Sequence, residues 1–310
     1  MIKDFLPYLA DKSFFTKAAI LVLLIAVFLL LTMVIGIVAA IPFFGLNAVM
    51  DLTLMENLND LRSVQLLKYF QVINQFGVFI LPALAYAWLV NRKPAGYLNL
   101  HGTISMHHLL LSLLLILVSI PAINRLVVWN EQMQLPDFLE GVESWMRQSE
   151  DQTKMLTDAF LNVKSLSGLF GNLLIIALLA AVGEELLFRG VVLKMLNESL
   201  HNVHLAVLIS AVLFSSLHMQ FYGFLPRTVL GILFGYVFVW SVNLWIPILL
   251  HFIFNGISVV AAYLYNLGMI DTDVDSLGET PNDLIVAGSL LLSVLLLFVM
   301  YRMRFRQVKE

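Results

Sequence analysis

Apolar residues fall along this chain in long blocks, and the blocks set its architecture. Residues 18–41 supply 24 positions without a charge and end at Pro42. A helix crossing a bilayer needs roughly 20 mostly apolar residues. The block is longer than a signal-peptide core, and no small-residue cleavage pattern follows it, so a retained helix is expected. Further blocks lie at about 71–90, 108–123, 166–183, 203–219, 225–242, 244–265 and 284–301. The predicted count is therefore eight, with 108–123 and 203–219 short enough to be tilted, extended or partly buried. The fold class expected is all-α: a polytopic integral membrane protein of about eight transmembrane helices.

The polar stretches between blocks give an orientation. Arg92 and Lys93 follow the second block, Arg302, Arg304, Arg306 and Lys309 follow the last, and Lys3, Lys12 and Lys17 precede the first. Eight crossings place these three basic groups on one side, which the positive-inside rule makes the cytoplasm. Both termini are then cytoplasmic and the location is the cell membrane. The opposite side receives 124–165, with seven acidic residues against four basic, and 266–283, with five acidic and none basic. Around 137–162 the pattern is amphipathic, which predicts one or two helices lying on the outer surface.

Composition agrees and removes several kinds of chemistry. The 310 residues are 60% hydrophobic and 13% charged, against about 45–50% and about 25% in ordinary soluble domains. A net charge of −3 gives no reason to expect a nucleic-acid partner. The absence of cysteine excludes disulfides, thiolate zinc sites, iron–sulfur clusters and a cysteine nucleophile.

Ionisable groups inside apolar spans are costly and mark functional sites by default. The first half offers only Asn74, Gln75 and Asn124 as notable polar groups in or beside spans. The second half gathers Glu184, Glu185, Arg189, His218, Arg227, His251 and Asn255 within 72 residues. In Gly183-Glu184-Glu185-Leu186-Leu187-Phe188-Arg189-Gly190, placed at the cytoplasmic end of the fourth block, Glu185 and Arg189 are spaced to pair on one helical face. Glu184 lies about 100° round from Glu185 and is free to point into the bundle as a general base. The bland alternative is an interfacial charge pair closing a helix. In Phe214-Ser215-Ser216-Leu217-His218 the histidine alone reads more often as a packing residue than as a catalyst. His251 and Asn255, four apart, share a face and call for a common partner; the alternative is a hydrogen-bonded pair holding the bundle together. Gly231 and Gly235 form a small-residue face suited to close helix approach. His201 and His204 read as surface residues, His107 and His108 as interfacial, and Arg227 as snorkelling to the headgroups.

The ordered set Glu-Glu-x-x-x-Arg, Phe-x-x-x-His and His-x-x-x-Asn on successive apolar helices resembles the CAAX-protease and bacteriocin-processing family of intramembrane endopeptidases, also called the abortive-infection family. The resemblance covers about residues 166–265 and includes Gly231–Tyr236 and Leu244–His251. It implies hydrolysis of a peptide bond in a membrane-associated peptide or protein by a glutamate-activated water. Carried over by motif, Glu184 and His218 activate the water, and His251 and Asn255 form the oxyanion site. Glu185, Arg189 and Phe214 support that site. The division expected is 1–165 for the N-terminal spans and outer segment, 166–265 for the catalytic core, and 266–310 for an acidic loop, last span and basic tail. The four catalytic side chains should converge on one cavity reached from the cytoplasmic half of the membrane.

Two other classes compete with a protease. One is a non-catalytic membrane partner in secretion or bacteriocin immunity. The other is a transporter, which calls for charges spread over both halves and paired broken helices, neither of which the first half supplies. Glu184, His218 and His251 also number the three ligands that a catalytic zinc takes. Against zinc stand the absence of a His-Glu-x-x-His helix and the lack of a carboxylate to orient the histidines, since Arg189 can claim Glu185. No cofactor is therefore expected, and membrane lipid and the peptide substrate are the partners.

Overall fold

A computed structural model describes residues 8–51, 57–272 and 276–307. Of the charges used for orientation, Lys3, Lys309, Asp273 and Asp275 lie outside the described residues, as do the side chains of Arg304 and Arg306. Among the described residues the regular structure is entirely helical.

Nine longer helices organise the described residues. They are α1 (Phe14–Phe44), α2 (Leu61–Val90), α3 (Met106–Glu131), α4 (Glu140–Leu161), α5 (Leu166–Leu200), α6 (Val203–Ser216), α7 (Phe224–Ser241), α8 (Trp245–Asn266) and α9 (Asp283–Gln307). Seven of these are long and apolar enough to cross a membrane; α4 is polar, and α6 is apolar but has only 14 residues. The expected multi-pass, all-helical class is found, with boundaries displaced. The third block extends to 26 residues as α3, whereas the fifth stays short as α6.

The largest displacement concerns α5. The sequence places Glu184 and Glu185 at a helix end, but α5 runs on for 35 residues and both glutamates sit at its middle. A charge usually ends a buried apolar helix because it needs water. Here Glu185 Oε1 is paired within the bundle with both Arg189 and His251, while Oε2 is buried without a hydrogen-bond partner, and the charge is carried inside the helix rather than at its end.

Side-chain caps fix several starts by accepting orphan amide hydrogens. Asp60 accepts from Ser63 N at α2, Ser165 from Gly168 N at α5, and Asn202 from His204 N and Leu205 N at α6. His201, in the left-handed region at φ 50°, ends α5 and turns the chain into α6. His204 meets the Tyr236 hydroxyl 2.8 Å away on the exposed surface.

The degree of enclosure orders the bundle. Over its most apolar stretch α7 is 56% buried and α8 44%, whereas α1 is 11% buried. Thus α7 and α8 are central and α1 is peripheral, with Val22, Leu30, Val34 and Val38 exposed as a lipid-facing side chain set. Close approach of α6 and α7 depends on Gly231, where an added Cβ would lie 2.9 Å from the Ala211 Cβ.

Three π-helical stretches interrupt the spans: Gln75–Ile80 in α2, and Leu173–Leu179 and Leu186–Val192 in α5. Such wider turns concentrate at functional sites. The two in α5 bracket Ala180–Glu185, and the one in α2 packs against that same turn.

The amphipathic helix α4 does more than lie on a surface. Its C-terminal carbonyls are held by spans, with Lys68 Nζ donating to Phe160 O at 2.7 Å, Asn172 Nδ2 to Phe160 O at 2.8 Å, and Asn266 Nδ2 to Leu161 O at 2.9 Å. A cation and two amides at a helix C-terminus satisfy orphan carbonyls and oppose the helix dipole. Its N-terminal part covers the turn at residues 217–223, which carries His218.

Candidate active site

Glu185 is the hub of the polar cluster. Its side chain is 0% exposed, and its Oε1 accepts from Arg189 Nη1 at 2.8 Å and faces His251 Nδ1 at 2.9 Å. Arg189, 1% exposed, also donates from Nη2 to Gly231 O at 3.0 Å. Its guanidinium lies over the rings of Phe214 at 4.8 Å and Phe234 at 5.5 Å. A buried charge is tolerable only when paired and bonded in this way.

Glu184 projects beside the pair and is also buried. The nearest basic atom to it is His251 Nε2, 3.7 Å from Oε2, longer than a hydrogen bond. The imidazole of His251 therefore stands between the two glutamates, one at each ring nitrogen. It stacks on Phe234 at 5.3 Å, which with the Glu185 contact fixes its plane.

This corrects the expectation that Arg189 alone claims Glu185. One carboxylate oxygen serves both Arg189 and His251, so Glu185 orients a histidine as well as balancing an arginine. It also corrects the common partner foreseen for His251 and Asn255. His251 turns to Glu185, while Asn255 donates from Nδ2 to Ile176 O at 3.3 Å. Ile176 belongs to a π-helical stretch, where the altered hydrogen-bond ladder offers a carbonyl to a neighbouring helix.

His218 sits just beyond the end of α6, half-buried, with Nδ1 2.9 Å from Phe214 O. The Phe214 ring contacts both histidines, with centroids 5.0 Å from His218 and 6.1 Å from His251. Among the described residues no three His, Asp or Glu side chains are disposed to hold one metal ion.

Arg227 departs from its expected place. It is half-buried and points inward, with Nη2 donating to Gln220 Oε1 at 2.7 Å, and its charge is near enough to act on Glu184, His218 and Glu150. It does not snorkel, because Gly223 leaves room for the guanidinium to fold over the turn; a Cβ there would lie 2.9 Å from Arg227 Nη2.

Three other polar residues near the site were not singled out by motif. Gln75 is 3% exposed and packs on Gly183, and its Oε1 has no hydrogen-bond partner. Asn130 fixes the 217–223 turn by donating to Phe221 O at 2.9 Å and accepting from Leu225 N at 3.0 Å. Asn172 accepts from Lys68 Nζ at 2.7 Å. Their common signal is a lone amide inside or beside an apolar run.

A cavity of about 690 Å³ adjoins Arg227, bounded by α4, the 217–223 turn, α3, α7 and Phe254 of α8. It opens on the side of α4.

Comparison with known proteins places this region in context. The class defined by the fold is a multi-pass, all-helical membrane protein. Residues 166–257 match the family model described as type II CAAX prenyl endopeptidase Rce1-like. The suspected family is therefore the one matched, over the segment that carries all three motifs. A 90-residue stretch is 28% identical to the uncharacterized protein YpbD of Bacillus subtilis (strain 168), covering 28% of this chain and 43% of that protein. The match thus spans under half of the relative's length. No solved structure matches.

Proposed function

We propose that the chain is an intramembrane endopeptidase that hydrolyses a peptide bond of a membrane-associated protein or peptide. The observation that carries this reading is the buried Glu184–His251–Glu185–Arg189 group. A base without a hydrogen-bonded partner, Glu184, lies beside a histidine whose far nitrogen is held by a second carboxylate.

In this reading Glu184 takes the proton of a water as that water attacks the scissile carbonyl, with His218 assisting. The oxyanion receives hydrogen bonds from His251 and from Asn255, whose amide keeps a second N–H beyond the one given to Ile176. The proton held on Glu184 then passes to the leaving amine. Glu185 and Arg189 position His251. Both termini on the cytoplasmic side of the cell membrane belong to the same proposal.

We further take the site to work without a metal. His251 Nδ1 is turned to Glu185 and His218 Nδ1 to Phe214 O, and Asn255 is an uncommon zinc ligand. Activity that survives exhaustive chelation supports this, whereas stoichiometric zinc whose removal and return switch turnover off and on would make His218 and His251 ligands.

The test of the function is a comparison of peptide termini in membranes from cells carrying the wild type or Glu184→Gln. Termini present only with the wild type support the protease. Identical sets would favour a non-catalytic membrane partner.

A further inference from the structure

The cavity beside Arg227 has a mixed lining, with charged and amide side chains beside the apolar Ile123, Val127, Pro226 and Leu230. Its walls carry Glu150, Asp151 and Lys154 from α4, Gln220 from the turn and Arg227 from α7, with Phe254 at its inner edge. Arg227, one of its walls, is near enough to Glu184 for its charge to act on that carboxyl group. The volume, about 690 Å³, falls within the usual range of ligand pockets, roughly 300–1,000 Å³.

One atom in that lining is unsatisfied. Arg227 Nη1 is buried and has no hydrogen-bond partner, although Nη2 of the same group is bonded to Gln220. A buried guanidinium donor left open is costly, and a ligand that supplies an acceptor removes that cost. The roof is built to hold this space in shape. Ser149 Oγ donates to Met219 O at 3.2 Å, Tyr222 N donates to Glu150 Oε2 at 3.2 Å, and Trp145 packs on Phe221 at 5.1 Å. The Arg147 guanidinium lies 4.6 Å over the Tyr222 ring.

We propose that this cavity is the port through which a polar, extended segment of the substrate polypeptide reaches Glu184, and that Arg227 Nη1 binds a backbone carbonyl of that segment. The proposal rests on the endopeptidase reading and adds to it a side of entry, a substrate chemistry and a binding residue. Two neighbouring cavities, of about 490 and 740 Å³, are bounded by residues 57–68 and 154–175 together with Ala262, Tyr265 and Asn266. In the first, Lys68 is already bonded to Phe160 O and Asn172 Oδ1, so no comparable open donor lines it.

The chain has no cysteine, which allows single thiols to be placed without background. Val127→Cys lines the port and Ser167→Cys lines the 490 Å³ cavity. Each is labelled with fluorescein maleimide in membranes, and the yield of wild-type-specific termini is compared with that of the same variant unlabelled. Labelling Val127→Cys should abolish those termini, and labelling Ser167→Cys should leave them. With a synthetic peptide spanning the cleaved bond, Arg227→Ala should raise KM roughly 10–100-fold with little change in kcat, the loss expected for a charged hydrogen bond. Arg227→Lys should recover part of it, and matching gel-filtration profiles guard against misfolding. Cleavage that survives labelling of Val127→Cys, or an unchanged KM in Arg227→Ala, overturns the port while leaving the protease intact. A wild type producing no termini beyond those of Glu184→Gln removes both.

Discussion

Removing Arg189 should unfold this protein more readily than removing any other arginine in it. The side chain is the largest of those fully buried, and it gives two hydrogen bonds, to Glu185 Oε1 at 2.8 Å and to Gly231 O at 3.0 Å. Arg189→Ala leaves Glu185 buried with His251 as its one remaining partner, and breaking a buried pair from one side costs about 3–5 kcal/mol. The volume lost between Phe214 and Phe234 adds to that. Against a total stability of about 5–15 kcal/mol, such a loss leaves little folded protein. Arg227→Ala loses a bond to a neutral amide, worth about 1.5–3 kcal/mol to a charged donor, and relieves an open donor at the same time. Folded yield after detergent extraction, read by gel filtration and thermal unfolding, should fall far more for Arg189→Ala. The penalty arises from an unpaired charge, so Glu185→Gln combined with Arg189→Met should be less destabilised than the sum of the two single changes. Equal yields for Arg189→Ala and Arg227→Ala, or strict additivity in the double variant, would refute the reasoning.

Other outcomes follow from single contacts. Gly231→Ala should lower stability by about 1–3 kcal/mol, since the new methyl meets Ala211 and displaces the carbonyl that receives Arg189; thermal unfolding in detergent reads it. Asn202→Ala should cost about 1 kcal/mol through loss of the α6 cap, with faster amide exchange at His204 and Leu205 as the local signature. Asn255→Ala should reduce kcat by about 10²–10³ while leaving a folded protein, the usual loss for one oxyanion donor. Glu143, outside the spans, is held below the ordinary carboxylate range by the Leu135 N–H and then by Arg147. Its contribution to anchoring the start of α4 is therefore complete above pH 4.5 and lost as pH falls through the lowered value. Proteolysis between residues 132 and 140 should stay slow down to that point and accelerate only below it.

How much the sequence discloses depends on whether a feature is set by solvent or by a partner. Membrane helices are legible because a bilayer imposes a long uncharged run, and α1, α7, α8 and α9 follow that pattern closely. Their ends are less legible, as α5 illustrates: Glu184 and Glu185 look like a boundary until Arg189 and His251 are seen to pair with Glu185. The Glu185–Arg189 pair is visible because helical spacing alone brings its members together. The contact of His251 with Glu185 is not, since it depends on how α8 packs against α5. The amphipathic pattern of α4 predicts a helix but not what it covers, and so its hold on the 217–223 turn is hidden. Arg227 is misread for the same reason. A lone arginine near a span end snorkels by default, and only Gly223, close in space, explains why this one folds inward.

The central claim is that Glu184 hydrolyses a peptide bond, and water itself can report on it. Purified wild type and Glu184→Gln are incubated, in H₂¹⁸O, with membranes from cells lacking the chain, and new C-termini are read by mass spectrometry. The account predicts new C-termini carrying one ¹⁸O with the wild type and none with Glu184→Gln, while both variants elute as folded protein. The same labelled termini appearing with Glu184→Gln would contradict it.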